Sequence, residues 1–321
     1  GAERSFRTAL EIEPELELAL LGLSEVMDEQ GDTMQALALA QRALKARPDS
    51  VPATLAVARH QARLGATERA LESLERLRAL DPHIVESYLL SEMLLRNMGR
   101  QEEALAMLQL ALERGLRHPE LETELAMQQI AADRPEDAKK TARAGLDEHG
   151  DNGGLYLALG LATANDGVTA RAEAIPFLER ALELGVPDPG RVQLELGSLL
   201  LEAQRPEEAI ELWNKVLELK GDDSTALRSL NELYEQTERW SELVDILERQ
   251  ISLTPEPDQL IEIYRKQGKI WGDQLENEGQ ALDAWQKVLD IEPTDMEALF
   301  ALRNLYQRTG EYESLVEVLY K

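Results

Sequence analysis

The sequence predicts an all-α protein built from one repeated helical hairpin. Within residues 17–50, a first apolar stripe recurs at three- and four-residue spacing, which is typical of a helix: Leu20, Leu23, Ser24 and Met27. After a break at Gly31-Asp32, a second stripe follows and ends at Pro48: Ala36, Ala40 and Ala43. Two short helices joined by a tight turn fit this pattern.

The same pattern returns along the whole chain at a nearly fixed period. An equivalent position late in the second helix recurs every 34 residues: Ala9, Ala43, Leu77, Ala111 and Gly145. It continues after steps of 36, 35, 34 and 38 residues at Ala181, Val216, Gln250 and Val288. A period near 34 with two helices per unit is typical of a solenoid, whose repeats bury their apolar faces on their neighbours.

Small residues and helix breakers support this interpretation. Alanines early in the second helix would let the two helices of a hairpin approach closely: Ala36, Ala70, Ala104, Ala138 and Ala209. Glycines fall where a first helix must stop and turn: Gly31, Gly65, Gly99 and Gly310. Prolines are expected to close the second helices: Pro14, Pro48, Pro82, Pro255 and Pro293.

These residues resemble the tetratricopeptide repeat family over the whole chain. The family signature of large and small residues in the two helices is similar to three sets: Tyr156, Leu159, Gly160, Ala174, Leu178 and Ala181; Leu196, Gly197, Leu200, Ala209, Trp213 and Val216; Tyr264, Gly268, Trp271, Ala281, Trp285, Val288 and Pro293. The resemblance implies a right-handed α-solenoid of about nine stacked antiparallel helix pairs, in a style that looks bacterial.

We expect residues 1–321 to form a single solenoid that belongs to a longer protein. Residues 1–16 match only the second helix of a truncated repeat, 17–295 hold eight complete hairpins, and 296–321 hold a ninth, truncated repeat. The eight hairpins are predicted to start near Glu17, Val51, Val85, Pro119, Gly153, Gly190, Ser224 and Ile261. Neither end carries the polar cap that terminal repeats need, so end-to-end self-association is possible.

Composition narrows the classes of partner. The 61 acidic and 34 basic residues give a formal net charge of −27, which opposes binding to nucleic acids and to acidic membrane surfaces. No run of apolar residues approaches the length of a membrane span. The chain has no cysteine, a composition that suits both a cytoplasmic and a periplasmic protein, and the cytoplasmic setting is preferred.

The sequence gives no sign of catalysis or of a cofactor. No phosphate-binding glycine loop, nucleophile elbow, metalloprotease motif or calcium loop is present. Three histidines fall in successive turns between repeats, at His83, His118 and His149. Neighbouring repeats lie about 10 Å apart, too far for three imidazoles to share a metal ion at about 2 Å each. We therefore expect no enzyme, no cofactor and no metal site.

The resemblance implies a partner-binding concave groove, lined by the first helix of each hairpin. Carried over in register, its predicted lining is Leu21, Leu55, Arg59, Arg63, Leu89, Met93, Arg96, Met127, Ile130, Leu157, Leu161, Leu194 and Leu201. A second, more polar contact region follows at Arg228, Arg265, Lys269 and Asn304. The Lys/Asn clamp by which some family members hold a peptide carboxylate is absent, since its positions carry Leu21, Glu25, Leu55, Arg59, Leu89 and Met93.

This lining predicts a partner segment that is an amphipathic helix or an extended apolar peptide, with arginines available to its carboxylates. The alternative is that the leucines are core residues buried against adjacent repeats. The leading function is a non-catalytic scaffold or adaptor for a bacterial complex in motility, polarity or signalling. The alternatives are a periplasmic adaptor in envelope assembly or polysaccharide export, and the regulatory or substrate-recruiting arm of an enzyme.

Overall fold

A computed structural model describes residues 1–321 except 168, 169, 255, 312, 315 and 317–321. The described part is all-α and contains no strand. Its helices are α1 (Ala2–Ile12), α2 (Glu17–Glu29), α3 (Thr33–Ala46), α4 (Val51–Arg63), α5 (Thr67–Leu80), α6 (Val85–Asn97), α7 (Gln101–Glu113), α8 (Pro119–Ala131), α9 (Pro135–His149), α10 (Gly153–Ala164), α11 (Arg171–Leu184), α12 (Pro189–Glu202), α13 (Pro206–Lys220), α14 (Ser224–Gln236), α15 (Trp240–Ile251), α16 (Pro257–Lys269), α17 (Glu278–Ile291) and α18 (Met296–Thr309).

The chain divides into two compact units, Gly1–Leu184 and Gly185–Lys321. In the first, each helix from α1 to α11 packs on the next, and α2 also packs on α4, as α8 does on α10. First helices of successive hairpins are therefore neighbours. In the second unit, α12 to α18 again pack in chain order, and a turn of π-helix at Ile270–Gln274 extends α16. The predicted all-α solenoid class is confirmed.

The first helices of the hairpins begin at or close to the predicted starts, with two differences. α2, α4, α6, α8, α10 and α14 begin at the predicted residues, and α12 begins one residue early, at Pro189. α16 begins at Pro257, four residues before the predicted Ile261, because proline is favoured in the first turn of a helix. The predicted helix-closing residue Pro255 and the end of the ninth repeat at 317–321 lie outside the described residues.

Backbone conformation explains where the hairpins turn. Gly31 and Gly65 have φ of +87° and +74°, a left-handed region that glycine enters at little cost. In later hairpins the corresponding turns use other residues, since Asp133 and Gln204 have φ of +57° and +60°. At the turns between hairpins, Asp and Asn side chains cap several of the first helices, as when Asn152 accepts the backbone N–H of Leu155 at the start of α10.

Each hairpin is closed by small residues packed against large ones. The alanines Ala36, Ala70, Ala104, Ala138 and Ala209 are completely buried. In later hairpins a glycine on the first helix faces a large side chain on the second. A Cβ on Gly197 would lie 2.4 Å from Nε1 of Trp213, which is only 1% exposed. The helices approach as closely as this pairing allows.

Among the described residues, no helix has both the length and the apolar composition needed to cross a bilayer.

At one position of the first helix, where other hairpins carry a small residue, the third hairpin carries Glu92. Its counterparts at steps of 34 residues are Ser24, Ala58, Ala126 and Gly160, whereas Glu92 is a carboxyl group that is only 1% exposed. Burial and the nearby Glu124 raise the pKa of Glu92, while Arg96, whose Nε lies 3.0 Å from Oε1, opposes the shift. The third hairpin therefore carries a buried carboxyl group at a position where these other hairpins have a small residue.

We predict that Gly197→Ala destabilises the protein by roughly 1–3 kcal/mol, because its methyl group would overlap an indole ring that cannot move. Gly190→Ala is the matched control in the same helix, since its Cβ would meet only the flexible end of Lys220, also at 2.4 Å. Urea unfolding curves measure both. Equal loss of stability in the two variants would contradict the close-packing argument.

We also predict that Glu92→Gln stabilises the protein at pH 7, by a free energy on the order of 1 kcal/mol, because it removes a buried charge. The raised pKa means that the wild type loses stability as the pH rises from about 4.5, the unfolded value. The gain should therefore shrink towards pH 4. Thermal unfolding across this pH range tests it, with Glu72→Gln as an exposed control. A gain independent of pH would show that packing, not charge, is responsible.

Candidate functional site

A cleft of about 620 Å³ lies on the first helices of three successive hairpins in the first unit. Its walls come from α2 (Glu25, Asp28 and Glu29), α4 (Ala56, Arg59, His60, Ala62 and Arg63) and α6 (Glu86, Leu90 and Met93). These side chains converge because α2 packs on α4, so residues near the C-terminal ends of both helices reach one space. The cleft combines carboxylates and guanidinium groups with four apolar side chains.

Ion pairs within the chain engage both arginines of the cleft. Arg59 of α4 makes a bidentate pair with Glu86 of α6, and this hydrogen bond raises the pKa of Arg59 further. Arg63 donates to Oδ2 of Asp28 at 2.5 Å, and Thr33 donates to the other oxygen of Asp28 at 3.0 Å. The arginines therefore hold neighbouring hairpins together as well as lining the cleft.

His60 is a buried histidine behind this wall, with only 5% of its surface exposed. The Ser24 hydroxyl donates to the carbonyl of Ala36 at 2.8 Å and lies 2.9 Å from Nε2 of His60. Because its one proton is already used, Ser24 accepts from Nε2, which fixes the neutral tautomer with Nε2 protonated. Nδ1 then faces Oδ1 of Asp28 at 3.6 Å.

Burial lowers the pKa of His60, and the guanidinium groups of Arg63 and Arg59 add to this shift, whereas Asp28 and Glu25 oppose it. His60 is therefore neutral at pH 7. The described lining then carries four carboxylates, Glu25, Asp28, Glu29 and Glu86, against two guanidinium groups. The cleft has a net negative charge, in keeping with the −27 of the whole chain.

Three segments of the chain match models of the tetratricopeptide repeat: residues 29–90, 169–224 and 226–261. These matches fall on α-helical hairpins in both units. The chain is a tetratricopeptide-repeat protein. No curated protein sequence matches it at a significant level.

Solved structures share the tetratricopeptide-repeat fold at low sequence identity. The chain is 15% identical to one from the APC/C hetero-tetramer Cut9–Hcn1, with a TM-score of 0.53 over 94% of this chain and 52% of that one. It is 19% identical to pilF of Pseudomonas aeruginosa, with a TM-score of 0.56 over 67% of this chain and 97% of that one.

A third structure is the C-terminal part of a tetratricopeptide-repeat protein from Cytophaga hutchinsonii. It is 17% identical, with a TM-score of 0.55 over 76% of this chain and 98% of that one. The chain spans about half the length of the Cut9–Hcn1 chain that it matches. At these identities the similarity concerns the fold alone.

The cleft brings together only some of the residues predicted to line the groove of the repeats. Arg59, Arg63 and Met93 lie in it. Other predicted apolar residues of the first unit are half-buried and pack on the cores of their hairpins: Leu21, Leu55, Leu89, Met127 and Ile130. Leu157 and Leu161 of α10 and, in the second unit, Leu194 and Leu201 of α12 are half-buried as well.

Arg96, also predicted for the groove, forms ion pairs with Glu92 and with Glu124, the latter at 3.6 Å. The sequence-based reasoning did not single out His60, Ser24 or Glu86. The spacing of His60 three residues after the buried Val57 is a signal that would have placed it on the inner face of α4.

The predicted polar region of the second unit is partly assembled. Lys269 and Asn304 line a smaller pocket of about 300 Å³ beside the π-helical turn and Trp285. Arg265 pairs with the buried Asp295, and Lys269 with Glu297 at 2.7 Å. Arg228 is exposed on α14 and is not among the residues that line this pocket.

We predict that the wild type loses more stability between pH 7 and pH 5 than His60→Gln does. Because the folded pKa of His60 is lowered, the unfolded chain takes up a proton first, below about pH 6.5. The loss reaches at most about 1.4 kcal/mol for each pH unit in which only the unfolded chain is protonated. Gln is chosen because its amide still donates to Ser24. Urea unfolding at several pH values tests this, and parallel curves would contradict it.

Proposed function

We propose that this chain is a non-catalytic scaffold that binds a segment of a partner protein in the cleft between α2, α4 and α6. One observation carries the proposal: three successive first helices, which form one wall of the repeat array in this unit, leave an open cleft with apolar and charged side chains. The family resemblance implies a binding groove along the first helices, which supports the choice of this cleft. Arg59, Arg63 and Met93 are shared between that expectation and the described cleft.

The apolar part of the cleft suits a side chain from a peptide. Met93 is 38% exposed on α6, next to Leu90, with Ala56 and Ala62 opposite on α4. Methionine adapts its shape to different apolar groups, and the alanines leave room for them. An amphipathic helix or an extended apolar segment would place one or two large side chains here.

Charge favours a partner segment that also carries Lys or Arg. Arg59 and Arg63 already have carboxylate partners from this chain, so a partner's carboxylates would have to displace them. Glu25 and Glu29, by contrast, are exposed at the cleft. A basic side chain would gain from the net negative lining and from the acidity of the whole chain. This revises the expectation that the arginines meet acidic groups on the partner.

The setting proposed for this scaffold is a bacterial multiprotein complex, in motility, polarity or signalling. A periplasmic adaptor and the recruiting arm of an enzyme are the alternatives. All three use the same surface, so a test of the cleft applies to each.

We predict that the chain binds helical model peptides with leucine on one face and lysine on the other, and binds less well when the lysines are replaced by serine or by glutamate. Affinity for the lysine peptide should fall as salt rises, because rim charges are screened. Met93→Glu should weaken binding by about tenfold or more, since it places a charge in the apolar part of the cleft. Fluorescence anisotropy with labelled peptides measures these affinities.

Met98→Glu is the matched control. Met98 has the same exposure as Met93, 38%, and follows the same helix, but is not among the cleft residues. Both variants add the same negative charge, so a general attraction of a basic peptide to an acidic protein would affect them equally. If the two variants bind alike, the cleft is not the binding site. If the glutamate peptide binds best, the proposed chemistry of the partner is wrong.

A further inference from the structure

Three potential metal ligands converge at the open end of the fourth complete hairpin. Glu122 lies in the first turn of α8, and Glu148 and His149 are the last two residues of α9. Nε2 of His149 is 2.8 Å from Oε2 of Glu122, and one ligand atom from each of the three residues lies within 4.8 Å of the others. In the part of the chain that the structure describes, this is the one group of three with such a geometry.

The preceding hairpin has a different contact at this place. There, 34 residues earlier, Arg114 donates to the hydroxyl of the buried Tyr88 at 2.8 Å. Glu122 replaces that tyrosine and Glu148 replaces that arginine. A neutral phenol and a cation are thus exchanged for two carboxylates, with an imidazole added beside them. The substitution removes the local positive charge and leaves a negative one.

Glu122 is itself unusual, because its carboxylate is only 3% exposed. A buried carboxylate needs a compensating partner, and the partner that the structure shows is the His149 ring. Glu148 is exposed and has one cationic neighbour, Arg117, with 3.4 Å between Nε and the carboxylate. Two carboxylates and one imidazole are therefore brought together with a single guanidinium group at the edge.

The backbone beside Glu122 is shaped to admit its carboxylate. A Cβ at Gly145 would lie 2.9 Å from Oε2 of Glu122, and 2.8 Å from Leu155. Equivalent positions in other hairpins carry a side chain, as at Ala43, Leu77, Ala111 and Ala181, so glycine at this place is a departure that accompanies Glu122. The C-terminal end of α9 also directs its free carbonyl groups towards this region, which favours a cation.

We propose that Glu122, Glu148 and His149 bind a divalent transition-metal ion, Zn²⁺ by its ligand preference. One imidazole nitrogen and two carboxylate oxygens match the donors that Zn²⁺ accepts, and three protein ligands leave one position for water. On binding, Nε2 of His149 would exchange its hydrogen bond to Glu122 for a bond to the ion. Arg117 moves away from Glu148 into solvent. The ion would join the start of α8 to the end of α9 and close the hairpin.

This differs from the expectation of no metal site. That expectation considers a site shared by His83, His118 and His149, which lie in different repeats and too far apart to bind one ion. The structure instead pairs His149 with carboxylates of its own hairpin, 27 and one residue away in sequence. The proposal is independent of the binding function proposed for the α2–α4–α6 cleft.

Calorimetric titration of the whole chain with ZnCl₂, after treatment with a chelator, tests the proposal. One ion should bind per chain and raise the melting temperature. His149→Gln and Glu148→Gln should each weaken binding by about tenfold or more, because each removes one ligand. Glu148 is exposed, so that variant is expected to fold even if His149→Gln does not.

His118→Gln is the matched control, a histidine of the preceding turn outside the cluster. Titration with Co²⁺ adds a direct readout, since coordination by His149 changes the visible absorption of the ion. The proposal is overturned if the wild type shows no single site, if His118→Gln weakens binding as much as Glu148→Gln, or if Ca²⁺ raises the melting temperature as much as Zn²⁺ does. The last result would mean that any divalent ion screens the acidic chain.

Discussion

Close approach of the two helices within each hairpin is the constraint on which the rest of the structure depends. A short hairpin has no core of its own, so its apolar face must be buried between its own helices and those of its neighbours. Completely buried alanines, and the pairing of Gly197 with Trp213, show how this is done with side chains of opposite size. Volume is conserved at each contact even though the residues differ from one hairpin to the next.

That constraint also determines where the repeats are free to differ. Positions on the inner side of the contact tolerate little change, and Glu92 shows the consequence when a charge occupies one of them. Away from this contact the hairpins diverge in charge: Arg59 and Glu86 link α4 to α6, whereas Tyr88 and Arg114 become Glu122 and Glu148 one repeat later. At such positions one repeat can form a binding site or an ion pair that another repeat lacks.

The sequence predicted the repeated architecture well because the relevant signals are local. Apolar spacing, the glycines at Gly31 and Gly65 and the alanines at Ala36 and Ala70 act over a few residues, so their structural meaning can be read directly. The predicted start of α16 at Ile261 was four residues late, because Pro257 begins the helix. Contacts between hairpins were much harder to predict. Whether Arg59 is available to a partner depends on Glu86, 27 residues away, and whether His60 is buried depends on Ser24 in another helix.

The turns of the later hairpins have a consequence for engineering. Asp133, Gln204, Glu238 and Glu276 all have positive φ, between +50° and +60°, where a side chain strains the backbone. Glycine at such a position would relieve a cost of roughly 1 kcal/mol each. None of these four residues lines the α2–α4–α6 cleft, so the tolerance of the chain to destabilising changes could be enlarged there first. A variant redesigned to bind a new partner would then start from a more stable fold.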